Sequence, residues 1–438
     1  MSFQQGLSGL NAASKQLEVI GNNVANANTV GFKQSRAEFA DVFANSLTGG
    51  GATQIGIGTN LATVAQQFTQ GNITSSNNSL DIAINGGGFF RMTNNGAVTY
   101  SRNGQFKMDK AGFIVDAASR RLTGYAADSA GTLQKGAPVE LNISTSDLQP
   151  KASVEIVGLV NLDSRKAAPA ITPFSPTDPT TYNDSTAVTV FDSLGNSHTL
   201  QSFFVKDTLP NVWKIYATAD GISTPALVAV TPATIPPTFM PPTPVATLTF
   251  PATGTGLSPT SVPASPTPVA FNPLNPPIPP ATIPTVPTGA AAMALTLDYS
   301  GSTQFGSSFS INSLSQDGYT SGRLASFNTG ADGTITGRYS NGQSRALGQV
   351  ALSNFSNPNG LQSLGGNAWS ETSTSGAPLV GVPSSGALGV LQSSAVEDSN
   401  TDLTAELVNM ITAQRYYQAN AQTIKTQDQV LQTLVNLR

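Results

Sequence analysis

Leu403-Thr-Ala-Glu-Leu407-Val-Asn-Met410-Ile411, carried on by Tyr417, Ile424, Leu431 and Val435, is the run whose reading decides the fold. Its apolar positions recur at steps of three and four or their sums, which is the spacing of a helix with an apolar stripe. No Gly or Pro interrupts Asn400 to Arg438, so the pattern predicts one helix on the order of 55 Å long. The opening of the chain repeats it with Phe3, Leu7, Leu10, Leu17, Ile20 and Val24. An isolated amphipathic helix is marginal in water and is stabilised mainly by covering its stripe. Burying one Leu, Ile or Phe contributes about 1.5–3 kcal/mol. Val408, Ala413, Ala419, Val430, Leu434 and Leu437 lie off the main stripe and widen it beyond what one partner helix covers. The two terminal helices therefore call for each other first and for further copies of the chain second, and they are expected to order when that partner is supplied. Local signals agree. Ser399 to Asp402 has capping-box-like spacing, Asp402 and Glu406 lie near the positive end of the dipole, and Arg438 lies near the negative end.

Between the helices the chain reads as strand and turn. The first helix runs out in Gly21-Asn22-Asn23-Val24-Ala25-Asn26-Ala27-Asn28, followed by Gly31, residues that favour local side-chain bonding and left-handed backbone. Residues 29–70 read as a linker with a short helical pattern at Phe39, Val42, Phe43 and Leu47, ahead of Gly49-Gly50-Gly51. From Leu80 the period changes to two. Leu80, Ile82 and Ile84 lead to Gly86-Gly87-Gly88, and Val98 and Tyr100 lead to an expected turn at Asn103-Gly104. Asp109 to Gly112 makes a further reversal. Asp332-Gly333 and Asn341-Gly342 resume the same pattern, so residues 71–149 and 319–399 read as one β-domain split by an insertion. The insertion, 150–318, has strand patterns of its own. It contains Pro225 to Pro287, with 19 of the chain's 29 prolines, and no charge from Gly221 to Leu297. Polyproline II or extended loop is the expectation for 225–287. The fold class is mixed α and β, mainly β.

Only 11% of the residues are charged, against roughly 25% in ordinary soluble domains. The net charge of −4 argues against nucleic acid as a partner. A weakly charged surface suits dense packing against identical copies, and equally well a polar extracellular protein. With no cysteine, disulfides, thiolate metal sites and a Cys nucleophile are excluded. His198 is the sole histidine, expected as a half-exposed strand residue, and no nucleophile motif accompanies it. Gly56-Ile-Gly58 and Gly254-Thr-Gly256 lack the rest of a phosphate-loop fingerprint. The basic pairs Arg120-Arg121 and Arg165-Lys166 read as solvated. No catalytic, cofactor or metal constellation emerges, no basic-then-apolar signal segment is visible, and no run approaches a membrane span.

Ser8-Gly-Leu-Asn-Ala-Ala, Val19-Ile-Gly-Asn-Asn-Val-Ala-Asn-Ala-Asn and Gly31-Phe-Lys33 resemble the N-terminal signature of the bacterial flagellar axial proteins, with Asn22, Asn23, Asn26 and Gly31 in its turn. The ending Glu406-Leu-Val-Asn-Met-Ile, Ala413-Gln-Arg-Tyr-Tyr-Gln-Ala-Asn and Leu434-Val-Asn-Leu-Arg438 is similar to the hook members of that family. So are Asn85-Gly-Gly-Gly-Phe-Phe and Tyr100-Ser-Arg-Asn-Gly-Gln-Phe106. The resemblance implies a tubular homopolymer. Residues 1–28 and 400–438 would form a coiled-coil-like inner domain, the split β-domain a middle shell and 150–318 an outer one. It also implies a universal joint that transmits torque from the rod to the filament, and an export channel. The implied partners are the distal rod protein, the hook cap, the hook-filament junction protein and the type III export machinery, with export that leaves no cleaved signal. A rigid distal rod subunit is the alternative within the family, and a secreted β-rich adhesin is the alternative outside it.

Overall fold

The computed structural model describes residues 2–42, 56–220, 222–224, 244–257, 267–271 and 289–436. Most of the 225–287 reading lies outside those residues, as do Phe43, Leu47, Gly49-Gly50-Gly51, Leu437 and Arg438. Helix α1 spans Ser2–Ala25 and helix α2 spans Leu403–Asn436, and the remaining regular structure among the described residues is strand apart from two short 3-10 turns. The chain forms two compact units. One comprises residues 1–145, 325–338 and 344–438, the other residues 146–324 and 339–343.

In the first unit, strands from early and late sequence pair directly. Ile73–Ser75 pairs antiparallel with Ala395–Glu397, and Ile82–Asn85 with Val390–Ser393. Phe89–Asn94 pairs with Leu352–Asn354, Ala97–Ser101 with Ala368–Ser370, and Arg121–Ala126 with Ser344–Val350. Phe89, Tyr100, Phe355 and Trp369 bury their rings together, with Phe68 packed edge-on to Phe89 and Trp369. Such offset aromatic contacts add specific geometry to the area they bury.

One turn chemistry recurs. At Asp109, Asp116 and Asp128 the carboxylate accepts the backbone N–H groups two and four residues on, and the fourth residue of each turn, Gly112, Ser119 or Gly131, has positive φ. The Asp oxygen thus holds the bend while a residue tolerant of left-handed backbone completes it. Asn103-Gly104 behaves differently from the expected hairpin turn. The hairpin is made by Asn95 and Gly96, both at positive φ, between Asn94 and Ala97. Gly104 instead lets the chain pass close to Ile82, whose carbonyl oxygen would sit 1.7 Å from any Cβ.

Residues 35–42, part of the expected helical pattern, are strand. β1 (Ser35–Val42) pairs antiparallel with β2 (Gly58–Gln66), so the region read as a linker carries a hairpin. The register shift beside Glu38 and Phe39 skips Ala62 of β2, so the extra residue lies in β2 and β1 stays regular from Phe39 to Val42. Phe39 and Val42, three residues apart, therefore fall on opposite faces of the strand, and their spacing imitates a helix only in sequence.

Among its described residues the second unit has two five-stranded sheets. Ile156, Val160, Leu162, Leu295 and Leu297 from one and Leu200, Phe204, Trp213 and Ile215 from the other share a buried core. Within the proline-rich span, Ala246–Thr249 and Thr267–Phe271 are strands, which corrects the loop expectation there. Pro268 sits on an edge strand, where its missing N–H is tolerated.

Candidate functional site

The terminal helices pack antiparallel. Near the start of α1, Gly6 lies against Ile424 and Gly9 against Asn420, so close that a Cβ at Gly9 would fall 2.7 Å from the Asn420 side chain. Ala13, Ile20 and Asn23 of α1 and Glu406 and Ala413 of α2 are buried. The packed row of α2 is thus Glu406, Met410, Ala413, Asn420, Ile424 and Gln427, at alternating steps of four and three or their sum, a coiled-coil seam that mixes polar residues with Ala413 and two large apolar side chains. The expected stripe divides. Met410 and Ile424 lie on the seam and half-buried, while Leu403, Leu407, Ile411, Tyr417, Leu431 and Val435 are exposed. On α1, Ile20 is buried, Leu10, Leu17 and Val24 are half-buried, and Phe3 and Leu7 are exposed. Part of the α1 face meets β2 rather than α2. Gln5 Nε2 donates to the Gly56 carbonyl (2.6 Å), and Thr59 N–H donates to Ser8 Oγ (3.3 Å).

Asp402 itself caps α2, with Oδ1 accepting from Thr404 and Ala405 N–H, whereas Ser399 Oγ accepts from Thr401 N–H outside the helix. Glu406, expected as a charge near the dipole, is buried and accepts from Gln34 Nε2.

The Asn-rich turn after α1 is built as a joint. Asn23 exchanges two hydrogen bonds with the Ser35 backbone, donating to O (2.8 Å) and accepting from N–H (2.9 Å), as a pairing strand would. Asn26 donates to the Asn22 carbonyl and side-chain oxygens. Gly31, at φ +72°, lies against the Arg102–Asn103 backbone, where a Cβ would come within 2.5 Å of Asn103 N. That placement delivers Lys33 to a buried carboxylate. Lys33 Nζ lies 2.7 Å from Glu397 Oε1 and Arg102 Nη1 3.2 Å from Oε2, with the Lys33 and Glu397 side chains fully shielded and Arg102 nearly so. Lys33 also donates to the Thr69 carbonyl, Arg102 to the Gly86 carbonyl, and Gly71 N–H to Glu397. Burial lowers the pKa of both Lys33 and Arg102, and Glu397 opposes that. Asn400 completes the joint, accepting from Gln34 N–H and donating to the Gln67 carbonyl. Sequence reading missed Glu397, Arg102 and Asn400. Arg102 had one signal, its place in the Tyr100-to-Phe106 motif, and Asn400 another, its place at the head of the helical run; Glu397 had none.

Elsewhere one expected residue is buried and the basic pairs gain partners. His198 is 4% exposed, not half-exposed; Nδ1 lies 2.6 Å from Asp220 and Nε2 3.4 Å from Asp192. The basic pairs are also ion-paired, Arg120 with Asp116, Arg121 with Glu140, Arg165 with Asp163 and Lys166 with Asp184, but only Arg120 is largely shielded, while Arg165 keeps 62% of its side chain in solvent. Among the described residues no group of three or more His, Cys, Asp or Glu could hold a metal, and no helix is long and apolar enough to cross a membrane.

Four family models match the chain: flagella basal body rod protein over residues 3–33, the flagellar hook protein FlgE/F/G D1 domain over 83–161, the flagellar basal body protein FlaE D2 domain over 161–319, and the flagellar basal body rod FlgEFG protein C-terminal over 392–437. The flagellar hook proteins FlgE of Escherichia coli K12 and Salmonella typhimurium LT2 are 42% and 43% identical to it, each over 100% of both chains. That of Borreliella burgdorferi is 31% identical over 100% of this chain and 99% of its own. The chain belongs to the flagellar hook protein FlgE family. As a FlgE-family chain it is a structural subunit of the bacterial flagellar hook, and the family is structural rather than enzymatic. The basal body rod models at the two ends cover α1 with its Asn-rich turn and Lys33, and α2 with Glu397 and Asn400.

Proposed function

We propose that the α1–α2 pair is the polymerising element of this hook subunit and that the buried Lys33–Glu397–Arg102 joint holds it in a fixed attitude. The observation that carries this reading is the exposed apolar face of α2: Leu403, Leu407, Val408 and Ile411 lie outside the α1 seam. Apolar residues sustained along one helix are costly to leave in water and favour covering by further copies. On this reading the assembling residues are Phe3, Leu7, Leu10, Leu17, Ile20 and Val24 with Leu403, Leu407, Met410, Ile411, Tyr417, Ile424, Leu431 and Val435. The segments 1–28 and 400–438, 71–149 with 319–399, and 150–318 act as inner, middle and outer domains.

The polymer acts as a curved, flexible tube that passes torque from rod to filament and conducts exported subunits. A bending tube needs contacts that slide, and a surface with few charges avoids ion pairs that would lock one register. The further partners are the distal rod protein, the hook cap, the junction protein and the type III export machinery, with export as an unfolded chain without a cleaved signal. Electron microscopy of the purified chain under polymerising conditions tests the reading. Curved tubes are expected from the full chain and none from a variant lacking Asn400 to Arg438. Tubes formed equally well by the truncated chain would overturn it.

A further inference from the structure

Between α1, α2 and β1 lies a cavity of about 460 Å³ whose polar lining includes Gln16, Asn23, Gln34, Arg36, Glu406 and Asn409. Glu406 is 3% exposed; its Oε1 accepts from Gln34, and its buried Oε2 has no hydrogen-bond partner. The Asn23 amide is already spent on Ser35. A shielded carboxylate oxygen without a donor calls for one, and a cation answers most completely. The cavity is many times the roughly 30 Å³ share of one water molecule.

Cations on the helix pair are few. Lys15 of α1 is paired with Glu18 at 2.8 Å. On α2, Arg415 and Lys425 are exposed. Arg415 stands nine residues beyond Glu406, which at 3.6 residues per turn puts it about 180° around the helix and about 13.5 Å along it. Lys425, nineteen residues on, falls only about 100° away. α2 therefore carries an acceptor cavity on one face and a guanidinium on the opposite face. Such a pair cannot close within one chain. It is the arrangement of a heterologous contact, which propagates from copy to copy. A guanidinium also presents several donors in one plane, enough for Glu406 Oε2 and the amide oxygens of Gln16 and Asn409 together.

We propose that the Glu406 cavity receives Arg415 of a second copy, fixing the register between neighbouring α2 helices. The proposal rests on the polymer reading above. Its test is seeded elongation of the full chain, with thermal melting of the unpolymerised chain as a folding control. Arg415→Ala is expected to slow elongation by about tenfold or more without changing the melt. Glu406→Gln is expected to slow it as well, and the double variant no further than the slower single one. Lys425→Ala should elongate at the wild-type rate. Independent, multiplying effects of Arg415→Ala and Glu406→Gln would overturn the pairing. So would wild-type elongation by Arg415→Ala, the result expected if water alone or Arg36 of the same chain satisfies Glu406; Arg36→Ala lowering the melt would then identify Arg36. Failure of the wild-type chain to elongate at all would sink the polymer reading itself, whereas a wild-type rate in Arg415→Ala sinks only this contact.

Discussion

Glu397 is the residue on which the most depends. It neutralises two buried cations from distant sequence, and its removal leaves both without a counter-charge. Breaking a buried ion cluster in this way costs about 3–5 kcal/mol. Glu397→Ala should therefore lower the urea-unfolding stability of its unit by about that amount, with Lys33→Met costing less because Arg102 still meets the carboxylate. Asp163 gives a pH prediction. Hydrogen bonds from the Arg165 side chain, then from its backbone, hold the carboxyl down to about 2. A depressed carboxyl favours the folded state above its unfolded value of about 3.9, and that contribution fades as pH falls towards the folded value. A carbon-detected NMR titration should show Asp163 ionised well below pH 3.9, and Arg165→Ala should raise its midpoint towards about 3.9. Some of this scale was legible in advance. The Asp109-to-Gly112 reversal declares itself by residue type, because the Asp oxygen bonds backbone only two and four residues away. Glu397 does not declare itself, since its partners lie 364 and 295 residues distant in sequence. His198 was misjudged for a similar reason, Asp220 arriving from 22 residues on.

At the scale of elements, periodicity located both terminal helices but assigned too much of their apolar surface to a single stripe. The seam depends on Gly6 and Gly9 letting the backbones approach. Gly9→Val would place a branched side chain where a Cβ alone already meets Asn420 at 2.7 Å. The expected outcome is separation of α1 from α2, seen as faster amide exchange in both helices while the strands keep their protection, together with loss of tube formation. Unchanged exchange in α2 would show that Asn420 simply moves aside. The β1–β2 hairpin was misread because Phe39 and Val42 stand three apart, a helical spacing that in this strand puts them on opposite faces. A short strand and a helical turn have the same apolar signature there, and pairing with β2 settles between them.

For the whole molecule, the second unit draws its core from its own two sheets, with Phe204, Trp213, Ile215 and Leu297 all nearly inaccessible. A fragment of residues 146–324 is expected to fold alone and unfold in one cooperative urea transition. A broad, non-cooperative transition would show that its core needs residues from elsewhere. The sequence by itself determined the two terminal helices, the mainly β body, the lack of any cysteine chemistry, and the family. These follow from local periodicity, residue type and contiguous motifs, which need no knowledge of what lies opposite. Only the tertiary structure decided which side of α2 is spent on α1, that Lys33, Arg102 and Glu397 meet, and that Glu406 is buried in a cavity. Those facts depend on side chains brought together from opposite ends of the chain, where the interaction exists only after the backbone has folded.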